Sequence, residues 1–354
     1  MNKESKDFLF DLLATPSPTG YEERIQRLVR DHMKRYSDDT TVDLHGNLVV
    51  ALNRSAKRRV MLAGHCDQIG FIVKHISKEG FIYVGSLGGI DLGVILGAQV
   101  VIHSKQGPVP GVIGRKPIHH QTGEERSTVK TDIDKVWIDI GARNQKEVLK
   151  KIEIGDPITF KPEVLQLGKD LICGPGLDNR VGCFVAMEAL KLCARSKLAV
   201  GLFAVSTVQE EVGLRGAHTA AYGIDPEVGI AIDVTHATDN PGNENPRAVP
   251  IKLGGGPAIS KGPSVNSVVA RMLTETAKKL KIAYQPEPSS RLLGNDATAI
   301  QIARAGVASA SIGIPNRYMH TQVEVCNIND LENAAKLLAA FIKGINNKTD
   351  FRPI

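Results

Sequence analysis

Thr207-Val208-Gln209-Glu210-Glu211-Val212-Gly213-Leu214-Arg215-Gly216-Ala217 is the stretch on which the reading of this fold turns. It follows the apolar run Val200–Val205, which reads as a buried strand, and its glycines suit a turn. Glu210 and Glu211 therefore stand side by side where a core strand leaves a sheet. Burying adjacent carboxylates there is costly unless something positive compensates them. A metal ion would do so, with one Glu as ligand and its neighbour left to handle protons. A solvated acidic turn is the plainer explanation, and the rest of the chain decides between the two.

On both sides of this stretch, helical periodicity alternates with short apolar runs. Helices are expected at Lys6–Thr15 and from Tyr21 to Tyr36, where Ile25, Leu28, Val29 and Met33 recur at helical spacing. Strands are expected at Thr41–Leu44, Leu48–Leu52 and Val60–Ala63, the last running into Gly64-His65-Cys66-Asp67. Beyond Leu167 come helix Asp178–Ala194, strand Val200–Val205, helix Gly216–Tyr222 and strand Val228–Asp233. Helices Asn266–Leu280 and Ala297–Ala305, strand Ala308–Ile314 and a closing helix Asp330–Ile345 complete the chain. This alternation predicts an α/β fold, a mixed sheet covered by helices on both faces.

Residues 71–167 have another texture. Short β-branched runs (Phe81–Val84, Gln99–His103, Val109–Ile113, Lys135–Ile140, Asp156–Phe160) alternate with Gly and Pro, and only Gln145–Lys151 looks helical. This predicts a small β-barrel or sandwich inserted into the α/β unit. The expected division is a discontinuous domain of residues 1–70 and 168–354 around an insertion of residues 71–167. Polar Lys116–Asp134 reads as a long loop, and its His119 and His120 as solvated residues rather than ligands.

Ligands of open α/β sheets bind beyond the carboxyl ends of the strands. Those ends carry His65 and Asp67, then Glu210 and Glu211, then Asp233, then Arg317, Tyr318 and His320, while Asp178 opens a helix after Gly174-Pro175-Gly176. Singly, each has a duller role: Asp178 as an N-cap, the histidines as hydrogen-bonded core residues, Asp233 as a turn former. Converging on one sheet edge, two imidazoles and several carboxylates favour a first-row metal such as zinc, and suffice for two ions.

His65-x-Asp67, Gly176-Leu177-Asp178-Asn179-Arg180, Gln209-Glu210-Glu211-Val212-Gly213-x-Arg215-Gly216-Ala217, Asp233 and Arg317-Tyr318-x-His320 occur in this order in a known family. Over essentially its full length the chain resembles the tetrahedral, dodecameric metallo-aminopeptidases, which include glutamyl, leucyl, lysyl and deblocking enzymes. The resemblance implies a zinc-peptidase type catalytic domain and assigns residues 71–167 to dimerisation. It implies two divalent ions per subunit, zinc or cobalt foremost and manganese as a third option, and dimers building a dodecamer. By the same likeness His65 and Asp233 would hold one ion, Glu211 and His320 the other, and Asp178 would bridge them through a residue followed by a cis peptide bond. Asp67 would accept the second imidazole proton of His65 and fix its tautomer. Glu210 would be the general base, taking a proton from the metal-activated water and passing it to the leaving amine. One ion would hold the free α-amine of a short peptide, restricting cleavage to the N-terminus. Thr321-Gln322 and Gly294-Asn295-Asp296 depart from the family's usual Ser-Pro and Gly-Thr-Asp, so side-chain preference does not carry over.

Composition removes other classes. With 354 residues the chain can bury a large core, and 42% hydrophobic with 23% charged residues is ordinary for a soluble globular protein. Net charge is +6, yet Lys and Arg are spread along the chain, the tightest cluster being Lys57-Arg58-Arg59, and aromatics make up only 5%, so nucleic-acid binding is not expected. Five cysteines without a Cys-x-x-Cys pair argue against a disulfide framework or a structural zinc site and fit a reducing compartment. No apolar segment fits a signal peptide or a membrane span, so a cytoplasmic location away from membranes is expected. The run Gly254-Gly255-Gly256 lacks the Gly-Lys-Ser/Thr of a phosphate loop.

Two other functions remain to be weighed. Some relatives carry an endoglucanase label, but a glycosidase needs two carboxyls facing each other across the bond. In extended chain Glu210 and Glu211 would point to opposite faces, and the histidines would have no task. A non-catalytic, metal-dependent assembly protein would favour Cys-rich closed sites, absent here.

Overall fold

The computed structural model describes residues 1–123, 131–243 and 249–354, so the middle of the predicted loop Lys116–Asp134 lies outside the described residues. Among them, eleven strands form one sheet. Its main path runs β1 (Asp39–Val42), β2 (Leu48–Leu52), β12 (Gly201–Thr207), β3 (Arg59–His65), β13 (Val228–His236), β16 (Ala308–Arg317), β17 (Glu324–Asn327), β11 (Leu171–Gly174) and β10 (Leu165–Leu167). Off this path, β14 (Ala258–Lys261) pairs with β16 and with β15 (Gln285–Pro288).

The four central strands β12, β3, β13 and β16 are parallel, and their flanks are antiparallel. Parallel strands end at a common edge, so His65 sits level with Thr207, and Asp233 lies two residues past the pair Ala231 and Ala63. Both faces of these strands are apolar, the pattern expected where helices cover both sides. Leu48, Val50, Val60, Leu62, Leu202 and Ala204 enter one core cluster with helices α1 (Lys3–Ala14), α4 (Leu177–Cys193), α6 (Ser267–Leu280) and α8 (Ile328–Gly344). The alternate residues Val49, Ala51, Met61, Ala63, Phe203 and Val205 enter another with α5 (Arg215–Ile224) and α7 (Asp296–Gln301). The remaining helices are α2 (Glu23–Met33) and α3 (Gln145–Leu149).

A closed six-stranded barrel forms the second body: β4 (Gly70–Ile76), β5 (Ile82–Leu87), β8 (Val136–Asp139), β7 (Gly107–Arg115), β6 (Gln99–Ser104) and β9 (Pro157–Phe160). It has its own apolar interior, with Phe71 and Phe160 edge to face at 5.6 Å. Closure leaves no unpaired edge, which distinguishes it from the sandwich alternative. Leu165–Leu167, placed with the insertion by its sequence, hydrogen-bonds into the large sheet instead. His119 and His120 lie in a short 3-10 turn, Ile118–His120.

Two helix readings change. Asp178 does not cap α4: the backbone is non-helical at Asp178 and Asn179, the peptide between them is cis, and Asn179 Oδ1 accepts the Gly182 N–H at 3.0 Å. The side chain of Asp178 is thereby free for other contacts. Helix α7 stops at Gln301, short of the predicted Ala305, because Arg304 turns to φ 50° and Gly306 to 101°.

Candidate metal centre

Strand β3 delivers His65 with its ring fully buried. Its Nε2 lies 3.3 Å from Asp178 Oδ1, 3.6 Å from Asp233 Oδ1 and 3.8 Å from Glu210 Oε2. On the other side of Asp178, Oδ2 is 3.3 Å from His320 Nε2, which is 3.8 Å from Glu211 Oε2. Two triplets result, His65, Asp178, Asp233 and Asp178, Glu211, His320, each with one ligand atom per residue within 4.8 Å of the others. Asp178 is common to both. Glu210 is in neither triplet although it lines the same cleft.

The electrostatics describe a site short of positive charge. Burial pushes the Glu210 carboxyl up to about 9 despite the pull of His65, and burial together with Asp178 holds Glu211 well above the carboxylate range. Asp233 is also raised by burial, against its bond to His65. Asp178 goes the other way: burial raises it, but hydrogen bonds from His320 and His65 prevail and hold it well below that range. Burial works against charge on His65, yet Glu210, Asp178, Asp233 and Asp67 together hold the imidazole well above its usual value. Glu211 Oε1 is buried without a hydrogen-bond partner. Oxygen and imidazole donors, an orphaned carboxylate oxygen and excess negative charge fit divalent cations of the zinc and cobalt type.

Around the triplets, further residues hold the candidate ligands in place. Asp67 is fully buried, and its own carbonyl lies 3.1 Å from His65 Nδ1, closer than its carboxylate at 3.4 Å. The carboxylate instead accepts Thr19 Oγ1 at 2.7 Å and the backbone N–H groups of Glu210 and Glu211 at 3.1 and 3.2 Å. Asp67 therefore braces the glutamate turn as much as the imidazole. Glu324 accepts the backbone N–H of both Asp178 and His320 at 2.9 Å, and burial with the Asp178 charge pushes its carboxyl up to about 8. The Gly89 carbonyl, from the barrel unit, takes His320 Nδ1. Arg180, fully buried, donates to the carbonyls of Gly176, Pro175 and Thr15 and so ties the turn before Asp178 to the end of α1.

Thr19, Glu324 and Gly89 were not foreseen: Thr19 and Gly89 approach from a turn and a loop far away in sequence, and Glu324 opens the short strand β17, four residues past His320. Arg317, expected at this edge, is drawn aside into a 2.8 Å ion pair with Asp239. Glu210 and Glu211 do not sit in extended chain: they occupy the turn after β12 and both line one cleft, so the expectation of opposite faces fails. Gly294 and Asn295 line this cleft of about 720 Å³, whereas Gln322 reaches for the Val94 carbonyl at 3.4 Å.

Residues 46–337 match the model of the M42 glutamyl aminopeptidase family. A lysyl aminopeptidase from Pyrococcus furiosus is 36% identical over 344 residues, 97% of each chain. A TET aminopeptidase structure from the archaeon Thaumarchaeota archaeon SCGC AB-539-E09 superposes with a TM-score of 0.92 at 33% identity, over 98% of this chain and 97% of that one. A TET1 peptidase from Pyrococcus horikoshii, described as able to assemble into a tetrahedron or a large octahedral shell, matches with a TM-score of 0.86 at 30% identity, over 96% and 100%.

Proposed function

The chain belongs to the M42 glutamyl aminopeptidase family and is an aminopeptidase, and from that premise we propose that it works as a two-metal enzyme removing N-terminal residues from short peptides. The observation that carries this reading is the pair of ligand triplets sharing Asp178, with Glu210 beside them and in neither. His65, Asp178 and Asp233 would hold one divalent cation and Asp178, Glu211 and His320 the other. When bound, such ions polarise a peptide carbonyl, acidify water and anchor a free α-amine.

The protein's own groups do the rest. Burial makes the Glu210 carboxylate a strong base, positioned to take a proton from the attacking water and return it to the departing amine. Asp67 keeps Glu210 and Glu211 aimed by holding both backbone N–H groups. Glu324 does the same for Asp178 and His320. The barrel, with the residues around it, would be the dimerisation unit of a larger assembly. Its outward row on β7, Pro108, Pro110 and Val112, is exposed and apolar, which suits that role.

The test uses chelator-stripped protein with single metals added back and aminoacyl substrates with free or acetylated amines. Glu210→Gln should still take up two ions per chain while kcat falls by roughly 10²–10⁴. Cleavage of the acetylated set, or undiminished turnover by the variant, would overturn the reading.

A further inference from the structure

The two-metal reading leaves open which first residue is preferred, and the cleft beyond the ligands bears on it. Besides the ligands and Glu210, one further carboxylate lines the cleft, that of Glu287 on β15. Its Oε1 accepts the hydroxyl of Thr235, and its Oε2 accepts that of Ser260 at 2.7 Å. A carboxyl group that accepts through both oxygens keeps further lone pairs for another donor. No Lys or Arg among the described residues lines the cleft; its imidazoles are those of His65 and His320 in the triplets and of His236 beside Thr235.

Position then decides what this charge meets. Thr235 lies two residues past Asp233 on β13, on the same strand face and about 7 Å further along it. The carboxylate of Glu287 is therefore fixed one side-chain layer from the ligand end of the cleft. Leu292, Leu293 and Met319 supply apolar wall nearby in the same cleft. An aliphatic stem against such a wall, ending in a cation, is the shape of lysine or arginine.

Resting on the two-metal aminopeptidase reading, we infer that Glu287, held by Thr235 and Ser260, selects peptides whose first residue carries a positive side chain. The positive head would complete a charge-assisted hydrogen bond with the fixed carboxylate. An acidic first residue would meet repulsion there, which supplies the negative half of the discrimination.

The experiment compares kcat and KM for lysyl, arginyl, norleucyl and glutamyl p-nitroanilides on metal-loaded, full-length protein. Lysyl and arginyl substrates should exceed norleucyl by at least roughly tenfold in kcat/KM, chiefly through KM, with glutamyl poorest. Glu287→Gln should cut the lysyl-to-norleucyl ratio by roughly tenfold to a hundredfold, and Glu287→Lys should raise glutamyl above lysyl. Ratios taken within one protein are insensitive to how much of it is folded or metal-loaded. A wild-type preference for norleucyl or glutamyl, or an unchanged ratio in Glu287→Gln, overturns the assignment of Glu287. Cleavage of none of the free-amine substrates would sink the aminopeptidase reading instead. Calorimetry then judges Glu287 separately: metal-loaded Glu210→Gln protein should bind lysinamide more tightly than norleucinamide, and equal affinities overturn the inference.

Discussion

Asp67 has a second task beside the one its spacing suggests. Two residues past His65, it stands 3.4 Å from the imidazole, and its carboxylate also gathers Thr19 and the backbone N–H groups of Glu210 and Glu211. Asp67→Ala should leave those buried donors unpaired, costing about 1–3 kcal/mol in calorimetric unfolding of the metal-free protein. It should also weaken metal binding by roughly tenfold to a hundredfold in a competition titration. An unaltered affinity would show that the glutamate turn holds itself. Burial raises the Asp67 carboxyl, but the His65 imidazole, followed by Thr19 and the Glu210 N–H, outweighs it and keeps the group below the usual range. Its contribution to stability is therefore present above the unfolded value near ~4 and lost as pH falls through the folded one. Glu211 and Asp233 have the opposite sign, being raised by burial. Carboxyls raised in this way hold their protons to higher pH, and a cation must displace them, so affinity should climb with pH, about tenfold per unit for each proton displaced. Titrations in buffers of differing ionisation enthalpy check this, and binding without proton release between about pH 6 and 8 would contradict it. The residues of the two triplets were legible as candidates because most of them stand at or just past strand ends. Thr19 was not, because nothing local in a sequence says which distant turn will lie behind a candidate ligand, and Glu324 was not, because its four-residue strand was missed.

Legibility at the scale of elements follows length and alternation. Leu48–Leu52 was read to the residue because it is five apolar residues bounded by turn formers. The strands at Ala258–Lys261, Gln285–Pro288 and Glu324–Asn327 were missed, being four residues each, and one of them carries two prolines on a sheet margin. Glu287, which lines the cleft, and Glu324, which accepts the N–H groups of Asp178 and His320, both lie on such strands. Gly-Phe-Ile-Val-Lys-His-Ile at Gly70–Ile76 was hidden for another reason, as it continues directly from a site loop with no turn signal between. The junction of β3 with α4 was equally opaque. A Cβ on Gly64 would come within 2.4–2.5 Å of the Gly182 and Cys183 backbone, so the glycine lets the helix bearing Asp178 press onto the strand bearing His65. Gly64→Ala should force the two apart, destabilising by about 1–3 kcal/mol or more. Because both ligand triplets use Asp178, affinity at both metal sites should fall together. Loss of only one ion per chain, measured by metal analysis after gel filtration, would show that the helix yields without moving Asp178.

At the scale of the whole molecule, the α/β body and the inserted barrel are not independent. The segment after β5 returns to the metal centre, where Gly89 takes His320 Nδ1 and the Asp91 N–H meets the His320 carbonyl at 3.2 Å. Deleting residues 71–167 would therefore disturb the ligand set along with any subunit contact, so a gentler test of assembly is needed. Among the described residues no helix is long and apolar enough to cross a membrane. Val112 on the apolar row of β7 is exposed and pairs with Gln99 and Asp139, while Trp137, the chain's single tryptophan, stands opposite Gly114 on the neighbouring strand. If subunits meet on this face, Val112→Glu places a charge in a buried apolar contact, where it is tolerated only at a cost of several kcal/mol. The substituted side chain faces outward, so the barrel interior and the ligand triplets keep their packing. The expected result in sizing and light scattering is a species with fewer subunits, accompanied by a red shift of Trp137 emission as its surroundings become wetter. Metal uptake should remain at two ions per chain. An assembly of unchanged mass with unchanged emission would remove the β7 face from the subunit contacts, and any dimer would then have to pair through another surface.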